Sequence, residues 1–195
     1  MTAPQFDKAD ALLVVDVQRD FLPGGALAVP DGDAVVPVMN RYLEMAAQSG
    51  IPAFASRDWH PRNHCSFRSQ GGVWPPHCVA GSESADFAPG LNLPADVVIV
   101  SKAQKPDADA YSAFGGTDLD ARLRSVGIRR LWVGGLATDY CVLETVLDAR
   151  KAGYEVLFLE DASRAVEVVT GDGARAVARM REAGAIPVRG AALPA

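Results

Sequence analysis

Long apolar runs are missing from this 195-residue chain. The first hydrophobic stretch, Leu12-Leu13-Val14-Val15, stops at Asp16, far short of the roughly 18 residues that a membrane span needs. It has acidic neighbours and reads as a strand rather than a signal segment. Runs of like charge are missing too. Lys+Arg number 19 against 24 Asp+Glu, a net charge of −5, so the basic footprint of a nucleic-acid binder is absent. Partners are expected to be small molecules or other subunits, including copies of the chain itself. Cysteine is scarce: Cys65, Cys78 and Cys141 are an odd three, in a chain large enough to do without staples. A disulfide framework is disfavoured and a reducing, cytoplasmic setting expected. No G-x-G-x-x-G follows the first strand, which argues against a nucleotide-binding dehydrogenase and a nucleotide cofactor. No repeat or linker divides the sequence, and a single domain over residues 1–195 is expected at this length.

What is present is a rhythm. Apolar runs of strand length recur at Ala11 to Val17, Ala53 to Ser56, Val97 to Val100, Leu131 to Gly134, Val156 to Leu159 and Ile186 to Val188. Amphipathic stretches alternate with them at Asp33 to Gln48, Thr117 to Val126, Asp139 to Ala152 and Thr170 to Ala183, followed by Gly50, Gly127, Gly153 and Gly184 as stop signals. Repeated β, α, β units predict an α/β fold: three layers, α/β/α, with a doubly wound, mostly parallel sheet of about six strands. From Arg57 to Ala95 the rhythm breaks into a Pro-, Gly-, His- and Trp-rich loop, long enough to suggest function. The small apolar tail from Gly190 to Ala195 is expected to fray.

Ligands of open α/β sheets bind outside the carboxyl ends of the strands. Four strand ends carry chemistry: Asp16; Asp58 with His60; Lys102, with Lys105 as a nearby competitor; and the turn Gly134-Gly135-Leu136-Ala137-Thr138-Asp139-Tyr140-Cys141. Cys141 falls where a helix should begin, with Thr138 or Asp139 as its cap, and a helix N-terminus lowers a thiol pKa. The NH groups of that glycine-led turn are placed to face an oxyanion. Asp16, at the end of an apolar run, needs a cation or a proton to hold, which suits a base. Asp58 and His60, at i and i+2 of an extended segment, project on one face and suit a metal. His77 closes the set with positions left for water, and His64 is a further candidate. A closed structural zinc site of Cys65, Cys78, His60 and His77 is the bland alternative, and it leaves Asp58 unexplained.

With these residues in hand, the chain resembles the isochorismatase-like cysteine hydrolases, and within them the nicotinamidase (pyrazinamidase) branch. Four motifs carry the likeness: LLVVDVQRDFLPGGALAV from Leu12, SRDWHPRNHCSF from Ser56, WPPHCVAGS from Trp74 and GGLATDYCV from Gly134. The stretch from Ser101 to Leu119 has the family's form as well, which favours Lys102 over Lys105. The resemblance implies Cys141 as nucleophile, Asp16 as its base and Lys102 as the cation that steadies the pair. It implies Asp58, His60 and His77 as metal ligands, with His64 a ligand in some members. It further implies a cis peptide bond between Leu136 and Ala137, an oxyanion hole from the NH groups of Ala137 and Cys141, and a substrate pocket walled by Phe21, Trp74, Tyr111 and Leu136.

The activity implied is hydrolysis of nicotinamide, and of pyrazinamide, through a cysteine thioester, in the service of NAD salvage. One divalent ion is expected, zinc first with iron or manganese as alternatives, to hold the pyridine nitrogen. The nearest rival is a family relative acting on N-carbamoyl or ureido amides. Such relatives generally do without the metal, whereas all three ligands stand here. A metal hydrolase using bound water, in which Cys141 is dispensable, and a non-catalytic binding module are the more distant rivals.

Overall fold

The computed structural model describes residues 5–190; the tail beyond Gly190 lies outside them. The elements run β1 (Asp10–Val15), α1 (Val35–Gln48), β2 (Ala53–Asp58), β3 (Val98–Lys102), α2 (Leu119–Ser125), β4 (Arg130–Leu136), α3 (Cys141–Lys151), β5 (Glu155–Arg164), α4 (Asp172–Glu182) and β6 (Ile186–Val188). The strands form one six-stranded sheet in the order β3-β2-β1-β4-β5-β6, and every pairing is parallel. This is the α/β architecture expected from the alternating pattern.

Because the sheet is covered on both faces, its central strands can be apolar throughout. Alternation along β1 divides the core. Leu12 and Val14 join Met39, Tyr42, Trp132 and Leu159 under α1, while Leu13 and Val15 join Leu119, Leu123, Val142, Val146 and Met180 under α2, α3 and α4. The connection from β2 to β3 has no α-helix, and its residues Ala85, Ala88, Leu91 and Leu93 finish the α1 face instead.

β1 and β4 are neighbours in the sheet but not in sequence, and the connections that leave them run toward opposite edges. Such a switch point opens a crevice at the carboxyl ends of the strands. Asp16 follows β1 and Cys141 follows β4, so the two sides of the crevice carry the candidate base and nucleophile. Close approach is needed there: a Cβ on Gly135 would lie 2.0 Å from the Val15 carbonyl oxygen, and its φ of +137° admits only glycine.

Several boundaries depart from the sequence reading, and three have a clear physical cause or consequence. β1 ends at Val15, two residues early, because Asp16 turns to φ +49°. β2 runs on to Asp58, which places Asp58 beside Lys102 in the register with β3. β5 continues to Arg164 past a bulge against β4, through Glu160 and Asp161, whose charges concealed the strand; they are taken up by Arg189 and by the Tyr42 hydroxyl.

At the far end of β1, Asp10 is buried and accepts from Arg130 Nε at 2.8 Å, Arg130 Nη2 at 2.7 Å and Trp132 Nε1 at 2.8 Å. Asp10→Ala leaves the Trp132 indole NH buried without an acceptor, whereas Arg130 can still reach water. We expect a loss of about 2–3 kcal/mol in urea unfolding. Activity per folded molecule should hold, since Asp10 lies roughly 20 Å along the strand from Asp16. Coincident unfolding midpoints would contradict this.

Candidate active site

Three adjacent strand ends meet on one ammonium. Lys102 Nζ lies 2.5 Å from Asp58 Oδ1, 3.0 Å from Asp16 Oδ2, 3.0 Å from the Ala110 carbonyl oxygen and 3.5 Å from Cys141 Sγ. All four of these side chains are buried, whereas Lys105 is exposed on the surface. Ligand atoms of Asp16, Asp58 and Cys141 fall within 4.8 Å of one another. Asp16 is further fixed by the Ser56 hydroxyl, which donates to Oδ1 at 2.7 Å. Its Oδ2 makes the ion pair with Lys102 off the direction of a hydrogen bond and has no other partner, so it remains available to the thiol.

The environment separates the two carboxylates. Burial pushes the Asp16 pKa up, and Lys102 only partly offsets it, with Asp58 adding to the rise. Burial works the same way on Asp58, but Lys102 and His60 overcome it and hold the group below the usual carboxylate range. Lys102 itself is driven down by burial and then far up by Asp16 and Asp58, so it stays charged. The thiol departs from the sequence expectation. α3 does begin at Cys141, yet burial, with Asp16 and Asp58 behind it, raises the thiol pKa well above its ordinary value, and Lys102 does not reverse this. This environment favours the protonated thiol beside a carboxylate of raised proton affinity. The expected caps also fail: residue 140 precedes the helix, and the Asp139 carboxylate accepts from the NH groups of Val166 and Glu167 instead.

A metal-ligand group adjoins the Lys102 cluster. Asp58, His60 and His77 each offer an atom within 4.8 Å of the others, and all three are buried. Both ring nitrogens of His60 are buried without a hydrogen-bond partner, an arrangement that costs about 1–3 kcal/mol per group unless something binds there. A cation would satisfy one of them. His77 Nδ1 donates to the Pro75 carbonyl at 2.9 Å, which leaves Nε2 as a lone-pair donor, and burial lowers its pKa toward the neutral form a metal requires. Asp with two His suits zinc, iron or manganese.

His64 sits 4.2 Å from His60, ring to ring, but is committed elsewhere. Its Nδ1 accepts from the Ser66 NH at 3.3 Å, so Nε2 carries the proton and faces the Ala108 carbonyl at 3.3 Å. Neither Cys65 nor Cys78 joins a metal-ligand group among the described residues, so the closed structural zinc site is not formed. Cys78 is a buried thiol whose pKa burial raises far above the ordinary range.

Above these groups lies a cavity of about 260 Å³ lined by Phe21, Trp74, Tyr111, Ala137, Tyr140, Cys141, Asp58, His77, Val166 and the stretch from Ala26 to Val29. It has room for a small ring rather than an extended ligand. Phe21, Trp74 and Tyr111 are among its lining residues. Leu136, expected beside them, is not: its side chain is fully buried in the core under α1, because the last residue of β4 still projects from the sheet face that α1 covers, and Ala137 lines the cavity. The Leu136-Ala137 peptide is cis. The NH groups of Ala137 and Cys141 donate to no carbonyl or side chain among the described residues.

Sequence reasoning missed several participants. Tyr140 packs edge-on against Trp74 with centroids 5.4 Å apart, and the Trp74 indole NH donates to the Tyr111 hydroxyl at 3.0 Å, joining the aromatic wall. Gln18, buried, clasps the Asp58 backbone with its amide, at 2.9 Å to the carbonyl and 2.8 Å from the NH. A polar side chain two residues beyond Asp16, beside an apolar strand, was the available signal. Val166 carried none.

The Isochorismatase domain family matches residues 10–192 of the chain. A nicotinamidase from Escherichia coli (strain K12) is 45% identical over 196 residues, a match that covers 90% of this chain and 92% of that protein. Among solved structures, the pyrazinamidase of Pyrococcus horikoshii in complex with zinc is similar at 48% identity and TM-score 0.90, covering 93% of this chain and 99% of that one. PnC1 from L. infantum, solved in complex with nicotinate, is similar at 37% identity and TM-score 0.88, covering 100% of this chain and 99% of that one.

The division of labour among the histidines is testable by calorimetric titration of Zn²⁺. His60→Ala should weaken binding by more than about 100-fold, whereas His64→Ala, removing a neighbour of the ligands, should weaken it by about 10-fold or less. Equal losses would make His64 a ligand.

Proposed function

The chain belongs to the isochorismatase family, and from that premise we propose that it acts, as one isochorismatase-like domain, as a nicotinamidase that hydrolyses nicotinamide, and pyrazinamide, to the acid and ammonia. The observation that carries this reading is the Lys102 ammonium, shared between Asp16 and Cys141 on one side and Asp58 of the metal-ligand group on the other, beneath a small cavity walled by aromatic rings. That arrangement suits a flat aromatic amide, with the ring among Phe21, Trp74 and Tyr111 and the carboxamide at Cys141.

In this mechanism Asp16 takes the Cys141 proton as the sulfur attacks the carboxamide carbon. Its raised proton affinity fits it to that transfer, and Lys102 steadies the charge that forms. The carbonyl oxygen, now negative, meets the free NH groups of Ala137 and Cys141, each such donor being worth about 100-fold in rate. Asp16 returns the proton to the amide nitrogen, and ammonia leaves. Water then hydrolyses the thioester, giving its proton to Asp16, and the thiol is restored. When bound, a divalent ion held by Asp58, His60 and His77, zinc first with iron or manganese as alternatives, supplies a Lewis acid for the pyridine nitrogen.

Ammonia release from nicotinamide by the zinc-loaded, reduced protein tests the reading beside a chelated sample and Cys141→Ala. The variant should fold and bind zinc, with turnover down by about 10⁴-fold or more. Retained activity in Cys141→Ala would overturn the nucleophile. An inactive wild type would overturn the substrate and move the assignment to the family's N-carbamoyl and ureido amides.

A further inference from the structure

The segment joining β5 to α4, residues 165–171, forms a wall of the cavity through Val166, yet lacks regular secondary structure for most of its length. Most of its backbone NH groups find carboxylates instead. Those of Val166 and Glu167 donate to Asp139 Oδ1 and Oδ2, each at 2.9 Å; that of Val169 donates to Asp172 at 2.8 Å; that of Gly171 donates to Glu167 at 2.5 Å. Glu167 also reaches the Gly173 NH at 2.9 Å, and a Cβ on residue 173 would meet that same carboxylate at 2.7 Å. Apolar anchoring is weak by comparison, since Val168 and Val169 are 63% and 62% exposed. Glu167 adopts φ +58°, a left-handed conformation that persists in a non-glycine residue only when its surroundings impose it.

Asp139 therefore stands at a junction. It lies two residues before Cys141, in the turn that delivers the nucleophile, and its two carboxylate oxygens take two successive NH groups of the wall. Among the described residues, the only other hydrogen bond joining this turn to the chain leaving β5 runs from the Thr138 NH to the Arg164 carbonyl at 2.8 Å, before the wall begins. We propose that Asp139 is a positioning residue for ring binding: by clamping the segment that carries Val166 to the turn that carries Cys141, it sets the distance between the apolar wall and the reacting sulfur. Asp139 itself does not line the cavity. The consequence rests on the amide-hydrolase reading above, because it concerns how tightly an aromatic amide is held. An interaction that shapes the cavity alike for bound substrate and transition state changes KM and leaves kcat.

Asp139→Asn is the discriminating variant. The amide keeps one acceptor oxygen but turns an NH₂ toward the second backbone NH, so one tether is lost and one is opposed. In the zinc-loaded protein without substrate, amide exchange in residues 165–171 should quicken by about 10-fold or more, while α3 keeps its protection. With nicotinamide, KM should rise by about 10-fold and kcat should stay within about 3-fold. Val166→Ala leaves the clamp and removes the wall; it should raise KM to a similar degree with exchange unaltered. Unchanged exchange in Asp139→Asn would overturn the clamp, and so would a fall in kcat at constant KM, which would place Asp139 in the chemistry of the turn. If Asp139→Asn does not fold, Val166→Ala decides, an unchanged KM overturning the proposal and a raised one supporting it. Exchange is read without substrate, so a wild type unable to hydrolyse nicotinamide would count against the activity while the clamp stood or fell on exchange alone.

Discussion

The buried ammonium of Lys102 is the constraint around which the site is built. An ammonium with no exposed side-chain surface would lose its proton unless anions surrounded it. Here the sheet itself delivers them. β3, β2 and β1 are consecutive in the sheet, so their carboxyl ends present Lys102, Asp58 and Asp16 side by side, and the register sets Asp58 directly across from Lys102. A strand order that separated these three would leave loops to bring them together, and loops would not hold them as rigidly. The Ala110 carbonyl completes the cage from the chain beyond β3. Fold and site are one requirement: the parallel sheet places the charges, and the paired charges make burial of its central strand ends tolerable.

The two carboxylates differ in proton affinity although both touch the same cation, and this asymmetry divides their work. Asp58 also has His60 at 3.6 Å and is held ionised, as a metal ligand would have to be. Asp16 has a neutral serine hydroxyl and full burial, so its affinity for a proton rises. Environments that push neighbouring titratable groups apart mark the acid and base roles. The Cys141 thiol follows the same logic. The helix N-terminus alone would favour a thiolate, but a group enclosed among two carboxylates and shielded from water keeps its proton. In the proposed reaction, activation therefore falls to Asp16 at the moment of attack rather than to a standing thiolate.

How much of this was legible in the sequence depends on the kind of signal. Strand ends could be read because apolar runs stop abruptly at charged residues, and Asp16, Asp58 and Lys102 were found that way. The histidines stood out in a loop too long to be idle, and the structure gathers all three around the buried Phe67 ring, with centroid distances of 5.5 to 5.7 Å. What stayed hidden were contacts with no periodicity or special chemistry to announce them. Val166 is an ordinary valine whose importance comes from where β5 releases the chain. Tyr140 drew no separate reading within the turn that precedes α3. Asp139 did carry a signal, an acid before a helix, but capping is a local rule, and two unpaired NH groups from a distant loop outbid it. Leu136 was misplaced because a strand's last residue obeys the alternation of its sheet, not the neighbourhood of its motif.

Asp58 ties the metal-ligand group to the Lys102 cluster, and this joins two properties that might otherwise vary separately. One of its oxygens accepts from Lys102 while the other faces His60. Charge drawn toward the ammonium is withdrawn from the ligand group, and a cation held there would in turn loosen the grip of Asp58 on Lys102. Lys102 would then lean more on Asp16 and on the sulfur, the two groups between which a proton passes in the proposed reaction. Count of charge points the same way: one ammonium against Asp16 and Asp58 leaves the buried centre with net negative charge, which a divalent ion reverses. A site in that state favours the build-up of negative charge on sulfur and on the carbonyl oxygen. The candidate ligand group and the Cys141 sulfur are thus a single electrostatic unit, and a substitution at either end is felt at the other through one carboxylate.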